Sequence, residues 1–180
     1  MVDASPVPLP PGLSPASPLF LREEEVRRGI ELLYFGHSHM IRGADRILAG
    51  HGLGRAHHRA LYFIARRPGL AVSELLRLLA ITKQSLARVL AELVARGLVR
   101  QEVGPHDRRQ RLLFLTDSGR RLEAELFEAL RARMAEAYAR AGQAAVTGFW
   151  TVLMGLIPVE DRALVLSLDA RAARDRTPPD

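Results

Sequence analysis

Residues 71–119 read AVSELLRLLAITKQSLARVLAELVARGLVRQEVGPHDRRQRLLFLTDSG. The spacing predicts a short helix over 72–79, a turn at Ala80-Ile81 and a second helix over 82–96. Thr82 is a good N-cap, because its hydroxyl can accept an orphan N–H of the first turn. Leu86, Val89, Leu90, Leu93 and Val94 make the buried face of that helix, and Gly97 is a natural residue just past its end. Beyond Gly97 the apolar period changes from 3.6 to 2. Leu98–Val103 and Arg111–Leu115 therefore read as two short strands, joined by a polar loop that contains Gly104-Pro105. This is the order of a helix-turn-helix followed by a basic hairpin, a wing.

The second helix of such a pair lies in the DNA major groove with its N-terminal residues at the base edges. Lys83, Gln84, Ala87 and Arg88 occupy the face left over once the apolar stripe is buried. Gln can pair bidentately with adenine and Arg with guanine; Lys can take phosphate or guanine, and Ala leaves room for a thymine methyl. Thr82 and Ser85 can donate to phosphate near the helix N-terminus. The hairpin carries Arg108, Arg109 and Arg111, suited to a minor groove, where negative potential is focused. Asp107 has the wrong sign for that task and is expected to pair with a nearby arginine and fix its direction.

The charge distribution supports a polyanionic partner. The 180 residues hold 26 Lys+Arg and 20 Asp+Glu, a net +6. Between Arg55 and Arg111 there are 12 Lys+Arg against 4 Asp+Glu, a net +8, so the remainder sums to 6 − 8 = −2. All the basic residues are Arg except Lys83, at the start of the second helix. The absence of cysteine excludes disulfides, thiol nucleophiles and cysteine-ligated zinc. The six histidines (37, 39, 51, 57, 58 and 106) show no i, i+4 pair, so no metal site is expected. No phosphate-cradling Gly loop and no nucleophile elbow occurs, so an enzyme and a cofactor are not expected either.

Outside this segment, residues 1–18 are Pro-rich and read as an extended, disordered arm. They carry no basic, apolar leader of the secretory kind. A first helix is expected over 21–48, with Val26, Ile30, Leu33, His37, Met40, Ala44 and Ile47 on one stripe. A second follows over 55–66. Thr116-Asp117 caps a long helix over 118–140, another runs through Ile157, and Pro158 opens a last one to about Leu168. Residues 171–180 read as a flexible tail. Ala141–Val159 has no charge over 19 residues. Its glycines, threonines and Pro158 favour a helix covered by a second subunit over a membrane span.

The stretch quoted above resembles the MarR family of bacterial transcription regulators. Its most diagnostic piece is Asp107-Arg108-Arg109 followed by Leu113-x-Leu115-Thr116-x-x-Gly119. The segments GRAHHRALYFIARRPGL and ITKQSLARVL further resemble a subgroup common in alphaproteobacteria. The resemblance covers about 21–168. It implies a mainly α fold with a small two-stranded β-wing in one domain, residues 19–170. A DNA-binding lobe over 55–116 would sit with dimerisation helices over 21–48 and 118–168. It implies a cytoplasmic homodimer, built through its outer helices, that binds a pseudo-palindromic operator. Such a protein would regulate transcription in response to a ligand or stress, as a repressor in preference to an activator. Arg109 would be the wing arginine reaching into the minor groove, with Asp107 as its orienting partner. MarR-like proteins bind small aromatic or lipophilic acids in a crevice between the two regions; by that analogy His37, His58 and Tyr62 would line it. Some sense oxidants through cysteine, a route closed to this chain. A competing expectation is a non-specific architectural or membrane-surface protein using the same basic segment.

Overall fold

The computed structural model describes residues 17–105 and 107–174, the last six of these by backbone alone. The chain divides into two units, Met1–His39 and Met40–Asp180. In the first unit Ser17 caps a 3-10 turn, Pro18–Leu21, and helix α1 (Glu23–Gly50) begins. Glu23, Glu24 and Glu25 fill its first turn, where negative charge complements the helix dipole. Val26, Ile30 and Leu33 of the apolar stripe are exposed in the single chain. His37 of the same stripe is exposed as well. Of the arm expected over 1–18, all but Ser17 and Pro18 lies outside the described residues.

The second unit opens with the rest of α1, whose Ile41, Ala44 and Leu48 turn inward. Then come α2 (Arg55–Arg66), β1 (Leu70–Ala71), α3 (Val72–Leu79), α4 (Lys83–Ala95), β2 (Val99–Val103), β3 (Arg111–Leu115), α5 (Asp117–Ala141), α6 (Gln143–Leu156) and α7 (Val159–Arg174). One core draws Leu48, Leu61, Ile64, Leu70, Leu75, Leu86, Leu93, Val99, Leu113 and Leu126, so α1 to α5 and all three strands bury side chains together. Each such buried side chain is worth about 1.5–3 kcal/mol.

The described sheet has three antiparallel strands in the order β1-β3-β2, not two. β1 pairs Leu70 with Leu113 and Ala71 with Leu112. At two residues it is too short to show an alternation, and Pro68-Gly69 before it signals only a turn. The hairpin pairs Val99 with Leu115 through to Val103 with Arg111. α4 ends in the expected left-handed Gly97 (φ +64°). Leu98 N–H donates to Leu93 O and Gly97 N–H to Val94 O, both at 2.9 Å, which satisfies two terminal carbonyls. Val94, expected on the buried face, is 41% exposed, because Leu86, Val89/Leu90 and Leu93 already complete the inward stripe.

Thr116 joins wing to helix: its Oγ1 donates to Gly97 O (2.6 Å) and accepts the N–H of Gly119 (3.1 Å). Gly119 passes so close to Leu98 that a Cβ there would lie 2.0 Å from Leu98 O. α6 buries none of its residues in the single chain. α7 continues to Arg174, six residues past Leu168 and into the segment read as tail. Among the described residues, no helix is long and apolar enough to cross a membrane.

Candidate nucleic-acid interface

α3 and α4 meet at Ala80, a non-glycine residue in the left-handed region (φ +49°), whose N–H donates to Leu76 O at 3.2 Å. The turn lets α4 start with Thr82, whose hydroxyl oxygen accepts the N–H of Ser85 (3.1 Å) and donates to Ser85 Oγ (2.9 Å). Burial of Leu86, Val89, Leu90 and Leu93 leaves Thr82, Lys83, Gln84, Ser85, Ala87 and Arg88 all exposed along the other side of the helix. These are the residues expected at base edges and phosphates. The wing carries Arg108, Arg109 and Arg111, also exposed.

Asp107 is tied to Arg109 differently than expected. Its Oδ1 accepts the backbone N–H of Arg109 at 2.9 Å, so it shapes the loop and leaves the guanidinium to reach outward. Arg111 Nη1 donates to Arg108 O at 3.0 Å.

Within the +8 segment, two of the four acids pair with arginines and a third lies against a histidine. Glu74 pairs with Arg67 and accepts Ala71 N–H at 3.1 Å, Glu102 pairs with Arg100, and Glu92 Oε2 lies 2.9 Å from His57 Nε2. Several cations are spent inside the fold as well. Arg55 makes a two-pronged pair with Asp45 (2.7 and 3.0 Å). Arg66 reaches Leu168 O (3.1 Å), and Arg100 stacks on the Phe114 ring at 4.5 Å. The net charge of the segment counts all three without separating them from the exposed cations of α4 and the wing.

Residues 51–110 match the MarR family profile. The HTH-type transcriptional regulator PetP of Rhodobacter capsulatus is 50% identical over 139 residues, 77% of this chain and 84% of PetP. The chain belongs to the MarR family. Its fold agrees with solved MarR structures. A MarR variant from E. coli, complexed with operator DNA, is 22% identical with a TM-score of 0.60, covering 79% of this chain and all of that one. A MarR family regulator from Silicibacter pomeroyi is 23% identical with a TM-score of 0.54, covering 90% and 98%. The helix-turn-helix with its wing is thus the MarR transcription-regulator fold, mostly helical with one small sheet.

The three residues expected to line a ligand crevice of this MarR protein have different surroundings. His58 is buried on α2, and burial holds its imidazole below the ordinary 6.5 while the charge of Asp45 opposes that shift. Tyr62, one turn on, is half-buried and stacks edge-on against Phe63. His37 is exposed in the first unit. An open cleft between α1 and α5 is lined instead by Gly43, Arg46, Ile47 and Ala129. Sequence reasoning missed Arg96 and His57, whose roles depend on partners some 35–45 residues away in the chain. No local pattern announces them.

Proposed function

We propose that this MarR protein binds double-stranded DNA sequence-specifically as a homodimer, with α4 in the major groove and the wing, residues 98–115, at the minor groove. One observation carries the reading: the division of α4 into a buried apolar side and an exposed side bearing Thr82, Lys83, Gln84, Ser85 and Arg88. Lys83, Gln84 and Arg88 offer donors that match purine edges; Thr82 and Ser85 sit at a helix N-terminus that favours phosphate. Arg108, Arg109 and Arg111 supply the wing's positive charge. The apolar side chains exposed on the first half of α1 (Val26, Ile30, Leu33) and on α6 (Phe149, Trp150, Leu156) support a dimer through the outer helices. The dimer would repress by occupying promoter DNA, which requires no contact with polymerase.

Responsiveness to a small aromatic or lipophilic acid belongs to the same proposal. His58 and Tyr62 supply a ring nitrogen and a hydroxyl for the head of such a ligand, and Tyr62 a ring face for its apolar body.

Selection of genomic fragments with the purified protein tests the core of the proposal. The expected product is a pseudo-palindrome with half-sites about 10 bp apart. It should bind at least about 10³-fold more tightly than random DNA. Equal affinity for random DNA, or for anionic vesicles, would favour the non-specific reading.

A further inference from the structure

The last turns of α4 touch both ends of the α1–α2 corner. Arg96, the residue that ends α4, donates from Nη1 to His51 O (2.5 Å) and from Nη2 to Gly52 O (3.3 Å). Those carbonyls lie where α1 runs out, where unsatisfied C=O groups and the negative end of the helix dipole favour a cation. One turn earlier on the same side of α4, Glu92 lies against the start of α2. Its Oε2 is 2.9 Å from His57 Nε2, a nitrogen shut off from solvent that makes no hydrogen bond among the described residues. The other ring nitrogen, Nδ1, accepts the N–H of Gly54, the cap of α2, at 3.1 Å. The N-terminal end of a helix favours an anion, and Glu92 supplies it. The corner is itself braced by the two-pronged Arg55–Asp45 pair across α1 and α2.

We infer that Arg96 is a positioning residue that clamps the recognition helix, with Glu92 packed beside it, to the corner between the end of α1 and the start of α2, so that this corner sets the orientation of α4. Neither residue has to touch DNA to do this. Arg96 is a cation of the basic segment that serves a backbone turn and not a phosphate. The inference rests on the proposed DNA-binding role of α4. In a dimer, a clamped α4 reads half-sites at one spacing, and an unclamped α4 spends part of its time out of register. Apparent affinity then falls by the fraction of competent orientation.

The test compares the parent with Arg96→Ala, Arg96→Lys and Leu130→Ala, the last a destabilised control on α5. Each is titrated on the selected operator and on versions with one base pair added or removed between half-sites. Arg96→Ala is expected to lose about tenfold in affinity if the competent orientation drops to about a tenth. It should also discriminate less between spacings and keep the parent's salt slope. Arg96→Lys, which retains a charge for the carbonyls, should recover most of the affinity. A salt slope smaller by about one in Arg96→Ala would mean a phosphate contact and overturn the inference. So would parental affinity with parental spacing preference. If the parent does not prefer its selected DNA over random DNA, the proposed function fails instead. Hydrogen exchange on the free proteins still decides the clamp in that case. Amides of residues 51–54 and of the last turn of α4 should exchange faster in Arg96→Ala than in Leu130→Ala, and equal rates would overturn it.

Discussion

Asp107 Oδ1 accepts the backbone N–H of Arg109 at 2.9 Å, so the acid of the wing acts on the arginine's main chain and leaves its guanidinium outside. The same loop is closed by Gln110 N–H on Asp107 O (3.0 Å) and Gly104 N–H on Gln110 O (3.1 Å). An Asp that bonds the backbone two residues on is a turn-forming device. Arg109→Ala is expected to weaken operator binding by roughly 1–3 kcal/mol. Asp107→Ala, which loses one hydrogen bond and loosens the tip, should cost about 0.5–1.5 kcal/mol. Gel-shift titrations at one fixed salt concentration check both, and a larger loss in Asp107→Ala than in Arg109→Ala would contradict this division of labour.

Gly119 admits no side chain, since a Cβ would lie 2.0 Å from Leu98 O. Gly119→Ala must therefore push α5 away from the strand that leads out of α4. A loss of at least about 1–3 kcal/mol is expected, as for overpacked cores. Urea unfolding reads it as a lower midpoint, and an unchanged midpoint would mean the two segments are not held this tightly.

Ala80 holds a left-handed conformation at φ +49° inside the helix-turn-helix. Such a conformation costs a residue with a Cβ about 1–2 kcal/mol, part of which glycine returns as extra freedom in the unfolded chain. Ala80→Gly should raise the unfolding free energy by a net of about 0.5–1 kcal/mol, read in urea as a higher midpoint with the slope unchanged.

Burial holds the His58 imidazole below its ordinary 6.5 in the folded protein. The unfolded chain then binds a proton at a higher pH than the folded one. The stability that depends on neutral His58 is complete above about pH 6.5 and is lost as pH falls through the folded value. Urea unfolding between pH 5 and 8 should show a shallower acid-side loss in His58→Gln than in the parent. Identical pH profiles would remove His58 from the acid response.

Ile30 is 64% exposed on the first half of α1. If α1 forms the dimer interface, Ile30→Glu places a like charge from each subunit in an apolar contact. Sedimentation at micromolar concentration should then show monomer where the parent is a dimer, with circular dichroism unchanged in shape. A dimeric Ile30→Glu would point to α6 and α7 as the sufficient interface.

Local order along the chain determined much of this protein. The cap at Thr82, the apolar spacing of α4, Gly97, the change of period and Thr116 depend on neighbours within a turn or two, so they are legible without a structure. The family resemblance carried by Asp107-Arg108-Arg109 and the residues after them rests on the same short range. What the tertiary structure alone decided is where each charge and each short element ends up. β1 exists because Leu70 and Ala71 meet β3 across more than 40 residues, with no periodicity of their own. Arg67 and Arg96 look like DNA ligands by composition, yet their guanidiniums bind Glu74 and two backbone carbonyls. A guanidinium at the end of a long, flexible stem goes to whichever acceptor the packed backbone brings within reach, and that choice is made by packing and not by sequence spacing.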